Sequence, residues 1–119
     1  LKFVPNIILS VSTDLRLALG WTAILYGQIQ APIGATGGIH SHEDAIKMIM
    51  AGASVTMVCS SLLKNGIPHI ADLLRDIELW MDIHECKSLN HIRGSMSQKS
   101  KDDPSAMERA QYIKALAQY

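Results

Sequence analysis

"IGATGGIHSHEDAIKMIMAGASVTMVCSSLL", residues 33–63, is the stretch whose reading decides the fold. Two short apolar runs flank a segment with helical spacing, and each run ends in small or polar residues: Thr36-Gly37-Gly38 after the first, Cys59-Ser60-Ser61 after the second. The first run reads as a strand over about 31–36 that the glycine pair breaks. Ser41 can cap the helix that follows. Asp44, three residues on, completes a carboxylate version of the capping box, and Ala45, Ile46, Ile49 and Met50 supply a buried face. Gly52 suits the left-handed position that stops a helix. Residues 55–59 then form a nearly continuous apolar run of strand length, the pattern expected where both faces of a parallel sheet are covered.

Working outward toward the N-terminus, 6–11 has the β-branched and leucine content of a strand, and Ser12-Thr13-Asp14 can cap a helix. Leu17, Trp21, Ile24 and Leu25 recur at the spacing of one buried helix face, bracketed by Gly27 and Pro32. Toward the C-terminus, Ser60 and Ser61 can open a short helical turn ending at Asn65-Gly66. Pro68 sits where a first helical turn tolerates proline, and Ile70, Leu73, Leu74, Ile77, Trp80 and Met81 make a helical stripe. Beyond Glu85 the composition changes: "RGSMSQKSKDDPSA" reads as a polar connector, and Asp103-Pro104 opens a last helix carrying Met107, Ala110, Tyr112, Ile113 and Leu116.

Strand and helix therefore alternate, which predicts an α/β fold built from βαβ units with a parallel sheet. A closed (β/α)8 barrel needs about 250 residues. With 119 residues, the chain reads as the C-terminal portion of such a TIM barrel, incomplete on its own: 1–94 as barrel, 95–119 as polar connector and C-terminal helix.

The totals narrow the function. Eleven basic residues balance eleven acidic ones, leaving a net charge of zero, and no like-charged block builds the face that nucleic acid needs. The longest charge-free stretch, 48–63, falls short of the roughly 20 residues of a bilayer span, so no membrane segment is expected. The opening "LKFVPNIILSVSTD" shows neither a basic leader nor a small-residue cleavage site. Two cysteines, Cys59 and Cys86, are too few and too distant for a disulfide framework. A reducing cytoplasm is the expectation.

In parallel α/β architectures, ligands gather at the carboxyl ends of strands, beside helix N-termini with free N–H groups. Gly37-Gly38 and Cys59-Ser60 occupy two such places. Missing side chains would let an anion approach the main chain, with a hydroxyl from Ser60 added, so valine at position 38 is expected to crowd a phosphate held there. A tight turn with positive φ is the simpler reading of any glycine pair; two adjacent loops shift the weight. "GATGG" lacks the spacing of a dinucleotide fingerprint, and no GK[ST] follows it. The "HSHED" cluster, His40 to Asp44, reads as a polar helix entrance rather than a metal site, because consecutive residues at a helix start point in different directions. Cys59 reads as inert packing at the end of a buried run, and His84 with Cys86 as a surface pair.

"ATGGIHSHEDAIKMIMAGASVTMVCSSLLKNG" resembles the last two barrel units of the dihydroorotate dehydrogenase family, and "DIELWMDIHECKSLNHIRGSMS" resembles its closing helix and "sL-x-x-x-RG" tail. The two ends of the chain are similar to a bacterial dihydroorotate dehydrogenase-like subgroup. The resemblance implies a flavin mononucleotide (FMN) barrel oxidising dihydroorotate to orotate in pyrimidine biosynthesis: a base removes a proton from one ring carbon while its neighbour passes hydride to flavin N5. It further implies that Gly37, Gly38, Cys59 and Ser60 hold the FMN phosphate, chiefly through the main chain. The family's base, a Cys or Ser, lies on an earlier loop with no counterpart here, so no catalytic residue is assigned. Many relatives carry Gly-Thr or Tyr-Thr where this chain has Cys59-Ser60. A small-molecule substrate, dihydroorotate or similar, is the expected partner. The alternatives are a nonredox barrel enzyme acting on a phosphorylated metabolite, or an inactive truncated product whose sheet edges drive association of copies.

Overall fold

The computed structural model describes residues 8–100, together with 102, 103, 105, 106, 108–110, 113 and 117. Among these, a 3-10 turn (Ser12–Asp14) leads into α1 (Leu15–Leu25), followed by β1 (Gly34–Thr36), α2 (His42–Ala51), β2 (Val55–Met57), α3 (Ser60–Asn65), α4 (His69–Ile83), α5 (Leu89–Ile92) and a 3-10 turn (Gln98–Ser100). β1 and β2 pair in parallel, with Gly34 opposite Val55, Ala35 opposite Thr56 and Thr36 opposite Met57. This is an α/β arrangement: a parallel pair needs a crossover, and α2 provides it.

The crossover forms as its sequence directs. Ser41 Oγ accepts the Asp44 N–H at 3.2 Å, and Asp44 Oδ2 accepts the N–H groups of both His40 and Ser41 at 3.1 Å. Three donors or acceptors of the helix entrance are thus satisfied reciprocally, an arrangement that contributes about 1 kcal/mol to a helix. Gly52, at φ 127°, ends α2 by donating to the Met48 and Ile49 carbonyls. The face turned inward carries Ala45, Ile46, Met48 and Ile49, with Met48 completely buried. Met48 and Ala45 join Leu15, Ala35, Ile39 and Ala53 in the core, against which Ala18, Leu19, Val58 and Ile77 pack. Three alanines at this junction let α1, α2 and the strands approach closely.

Four expectations need correction. Strand β1 is shorter than 31–36, since Pro32 has no N–H to give a ladder and the pairing settles instead with the Ile33 carbonyl accepting from Ser54 and Val55. Residues 8–11 of the expected 6–11 strand form no strand; Asn6 and Ile7 lie outside the described residues. On α1, the buried stripe is Leu15, Thr22, Ala23 and Ile24, while Leu17, Trp21 and Leu25 stand half exposed. The segment is apolar on both sides, so spacing alone fitted either stripe. On β2, Val55 and Met57 are about half exposed, at 54% and 48%: among the described residues only one face of the sheet is covered.

The polar stretch after Arg93 folds back onto α2. Gly94 N–H donates to Ile49 O at 3.1 Å, Met96 N–H to Met50 O at 2.8 Å, and Arg93 Nε to Ala53 O at 3.2 Å. Ser97 and Gln98 are buried there. The Tyr26 ring lies between the backbones of Gly52 and Gly94, both at positive φ. Leu73 and Ile77 of α4 reach the core, whereas Ile70 and Leu74 remain exposed. Asp103 accepts the Ala106 N–H at 3.2 Å, as a helix cap does; Pro104, Met107, Tyr112 and Leu116 lie outside the described residues.

Candidate functional site

Because β1 and β2 run in parallel and in register, their carboxyl ends lie side by side, about 4.8 Å apart as neighbouring strands are. The two corners that leave them share one cleft of about 230 Å³, and Gly37, Gly38, Cys59 and Ser60 all line it. Ser10 and Thr36 contribute hydroxyls to the same wall, and Ile8, Ile39, Met57 and Val58 its apolar part. Among the described residues, no carboxylate lines this cleft.

The two glycines have different reasons to be glycine. Both have positive φ, 97° at Gly37 and 73° at Gly38. A Cβ built on Gly37 would meet nothing within 4 Å. A Cβ on Gly38 would strike the Leu15 backbone nitrogen, with the Leu15 Cα at 2.8 Å and the Asp14 carbonyl carbon at 2.9 Å. The expectation that valine at position 38 acts by crowding a phosphate is therefore revised. Gly38 lets the start of α1 lie against the β1 corner, whereas the space beside Gly37 is open.

At the second corner Cys59 precedes α3 with an exposed thiol. This differs from the buried packing role read from the apolar run, because β2 ends at Met57 and the chain has already turned outward. Leu62 and Leu63 N–H groups both donate to Cys59 O, at 3.0 Å; the amides of Ser60 and Ser61 precede the first intrahelical bond. Ser60 is 9% exposed. Its Oγ accepts from Ser10 N–H at 3.0 Å and lies within hydrogen-bond distance of Ser10 Oγ, at 2.9 Å. His40 Nε2 lies 3.0 Å from Ser10 O. Since a carbonyl only accepts, that nitrogen carries the hydrogen.

Ser10 and His40 are contributors that sequence reasoning missed. Ser10 lies fifty positions from Ser60, and no spacing rule joins them. The rest of "HSHED" serves the α2 entrance, and no group of three or more His, Cys, Asp or Glu side chains gathers into a metal-ligand set among the described residues. His84 and Cys86 do not face one another chemically: the His84 ring stacks on Trp80 at 4.1 Å between centroids, and Cys86 Sγ donates to Ser88 O at 3.3 Å.

A cleft at the carboxyl ends of parallel strands, reached by the loops that enter the next helices, places the chain in the β/α class whose ligands gather at strand ends. Within that class, the chain belongs to the dihydroorotate dehydrogenase family, whose model matches residues 15–81, more than half of its length. It is 37% identical over 68 residues to "Dihydroorotate dehydrogenase B (NAD(+)), catalytic subunit" of Alkaliphilus metalliredigens, covering 57% of this chain and 22% of that protein. Over 71 residues it is 31% identical to "Putative dihydroorotate dehydrogenase A (fumarate)" of Aeropyrum pernix, covering 59% of this chain and 23% of that one. The chain thus spans less than a quarter of the length of these relatives. No helix among the described residues is long and apolar enough to cross a membrane.

Proposed function

We propose that these residues form the C-terminal, phosphate-holding part of an FMN-dependent (β/α)8 oxidoreductase of the dihydroorotate dehydrogenase type. The observation that carries the reading is the single cleft into which both strand-end corners open, with bare backbone at Gly37 and hydroxyls from Ser10 and Ser60 on its walls. The residues fit a phosphate monoester: the space a Cβ would occupy at Gly37 is open, the wall has donors, and no carboxylate is among the described lining residues. Gly37, Gly38, Cys59 and Ser60 would hold that group, chiefly by main-chain N–H. FMN, when bound, supplies the hydride-accepting centre of the reaction. The contribution of this chain is binding and orientation, fixing the cofactor at its charged end so that the ring is held in one place.

The catalytic base is not assigned to any residue of this chain. Dihydroorotate or a similar dihydro ring compound is the proposed substrate, in a cytoplasmic enzyme of pyrimidine biosynthesis. The exposed Val55 and Met57 face of the sheet supports the barrel reading, since apolar side chains at alternate strand positions are those that fill a barrel interior.

The full-length gene product is expected to purify yellow, with flavin absorbance that bleaches anaerobically on adding dihydroorotate. A colourless protein that cannot be reconstituted with FMN would contradict the flavin assignment. A yellow protein bleached only by other dihydro compounds would keep the flavin and replace the substrate.

A further inference from the structure

We infer that Gly34 is a positioning residue for the strand-end cleft: having no side chain, it lets Met57 lie back along β1, so that the cleft keeps a low apolar floor for the uncharged part of a ligand. The identity of that ligand rests on the flavin reading; the seating of Met57 does not. The backbone does not require glycine at position 34, since its φ is not positive and it sits in a paired strand. Glycine weakens a strand, and there it marks a close approach. The approaching group is Met57. In register Met57 stands opposite Thr36, yet its Cε comes within 3.3 Å of where a Cβ on Gly34 would be, with Val55 Cγ1 at 3.6 Å. The side chain therefore runs back toward the amino ends of the strands, away from the corners at Gly37 and Cys59.

Gly34, Thr36, Val55 and Met57 share the exposed face of the sheet, whereas Ala35 is buried on the other. Met57 also lines the cleft, together with Ile8, Ile39 and Val58. Its position thus sets how deep the cleft runs below the hydroxyls of Ser10, Thr36 and Ser60. Methionine is unbranched and turns about three bonds, so of the apolar lining side chains it is the easiest to push upward. A branched side chain at position 34 would take the space that the Met57 methyl occupies. The thioether must then rise off β1 into the cleft.

The test uses the full-length protein and two readouts. The first needs no ligand: Cys59 lines the same cleft with an exposed thiol, so its alkylation by iodoacetamide, followed on the Cys59 peptide by mass spectrometry, reports how open the cleft is. Gly34→Val is expected to slow alkylation severalfold and Gly34→Ala hardly at all, while Gly34→Val combined with Met57→Ala should return the wild-type rate. In the wild type, the Met57 methyl signal should show nuclear Overhauser contacts to the Gly34 α protons, which decides the matter if the valine variant does not fold. A valine variant alkylated as fast as wild type, slowing that persists without Met57, or a methyl with no contact to Gly34 would overturn the inference. The second readout is binding. Gly34→Val should weaken FMN and riboflavin alike, about tenfold where overpacking falls on the complex, and leave inorganic phosphate unaffected. Loss for FMN alone, or no loss, would overturn the role assigned to the floor. A wild type that binds neither flavin, with Cys59 and Met57 behaving as expected, would keep the Gly34–Met57 seating and remove the flavin assignment.

Discussion

Valine at position 38 is expected to destabilise the corner between β1 and α2 by about 2–5 kcal/mol, whereas alanine at position 37 should cost only about 1–2 kcal/mol. Two effects add. Any side chain at either position is strained by positive φ, 97° at Gly37 and 73° at Gly38, a penalty of about 1–2 kcal/mol. At Gly38 there is a second term, because the new Cβ would meet the backbone of Leu15 and Asp14, and backbone cannot rotate aside as a side chain can. Overpacking of this kind adds about 1–3 kcal/mol or more. Leu15 is 6% exposed and a member of the core, so displacing it loosens α1 as a whole. Thermal unfolding of the two variants checks the split. A Gly38→Val protein as stable as wild type would show that α1 does not lie against this corner. The Gly37→Ala protein should remain folded, since a Cβ there meets nothing within 4 Å, and should lose affinity for a phosphate-bearing ligand, because Gly37 lines the cleft.

The second large effect is expected at the opposite end of the strands. Gly94→Ala should destabilise the protein by about 2–4 kcal/mol, from the positive-φ penalty and overpacking together. The added Cβ would collide with Tyr26 Cε1, and the Tyr26 ring cannot retreat because Gly52 lies against its other edge. The same displacement would strain the Gly94 N–H bond to Ile49 O at 3.1 Å. Replacing Tyr26 by leucine should relieve much of the Gly94→Ala penalty, since the atoms that collide are then gone. Denaturant midpoints of the two single variants and the double variant test this. Additivity of the two changes would show that the tyrosine is not what confines Gly94.

The order of elements was legible because the signals that write it are local. Ser41 and Asp44 mark the start of α2 and Gly52 its end, and each performs the capping role its chemistry allows. The parallel pairing followed from strand, helix and strand in succession. What escaped was non-local. "LRLALGWTAIL" is apolar on two faces, so the choice between Leu15 and Trp21 as the inward residue depends on what α2 presents to it. Exposure of Val55 and Met57 depends on what lies against the sheet rather than on the strand itself. Arg93 and Gly94 look like the start of a polar linker, yet the arginine reaches the Ala53 carbonyl and the glycine makes room for Tyr26.

The candidate site divides in the same way. Its four main-chain positions could be read as two strand ends with little side chain, because the parallel topology obliges those ends to be neighbours. The pairing of Ser10 with Ser60 could not, since it depends on how the segment before α1 crosses the mouth of the cleft. Nor could the different reasons for Gly37 and Gly38, which only the position of Leu15 reveals.

Two chain corners acting as one anion seat would be reported most directly by the amide chemical shifts of the full-length protein. On titration with FMN, the backbone N–H signals of Gly37, Gly38, Cys59 and Ser60 are expected to move together, with a single dissociation constant, and to move again with inorganic phosphate but not with riboflavin. Signals that shift at one corner while the other stays still, or that respond to riboflavin as strongly as to FMN, would contradict it.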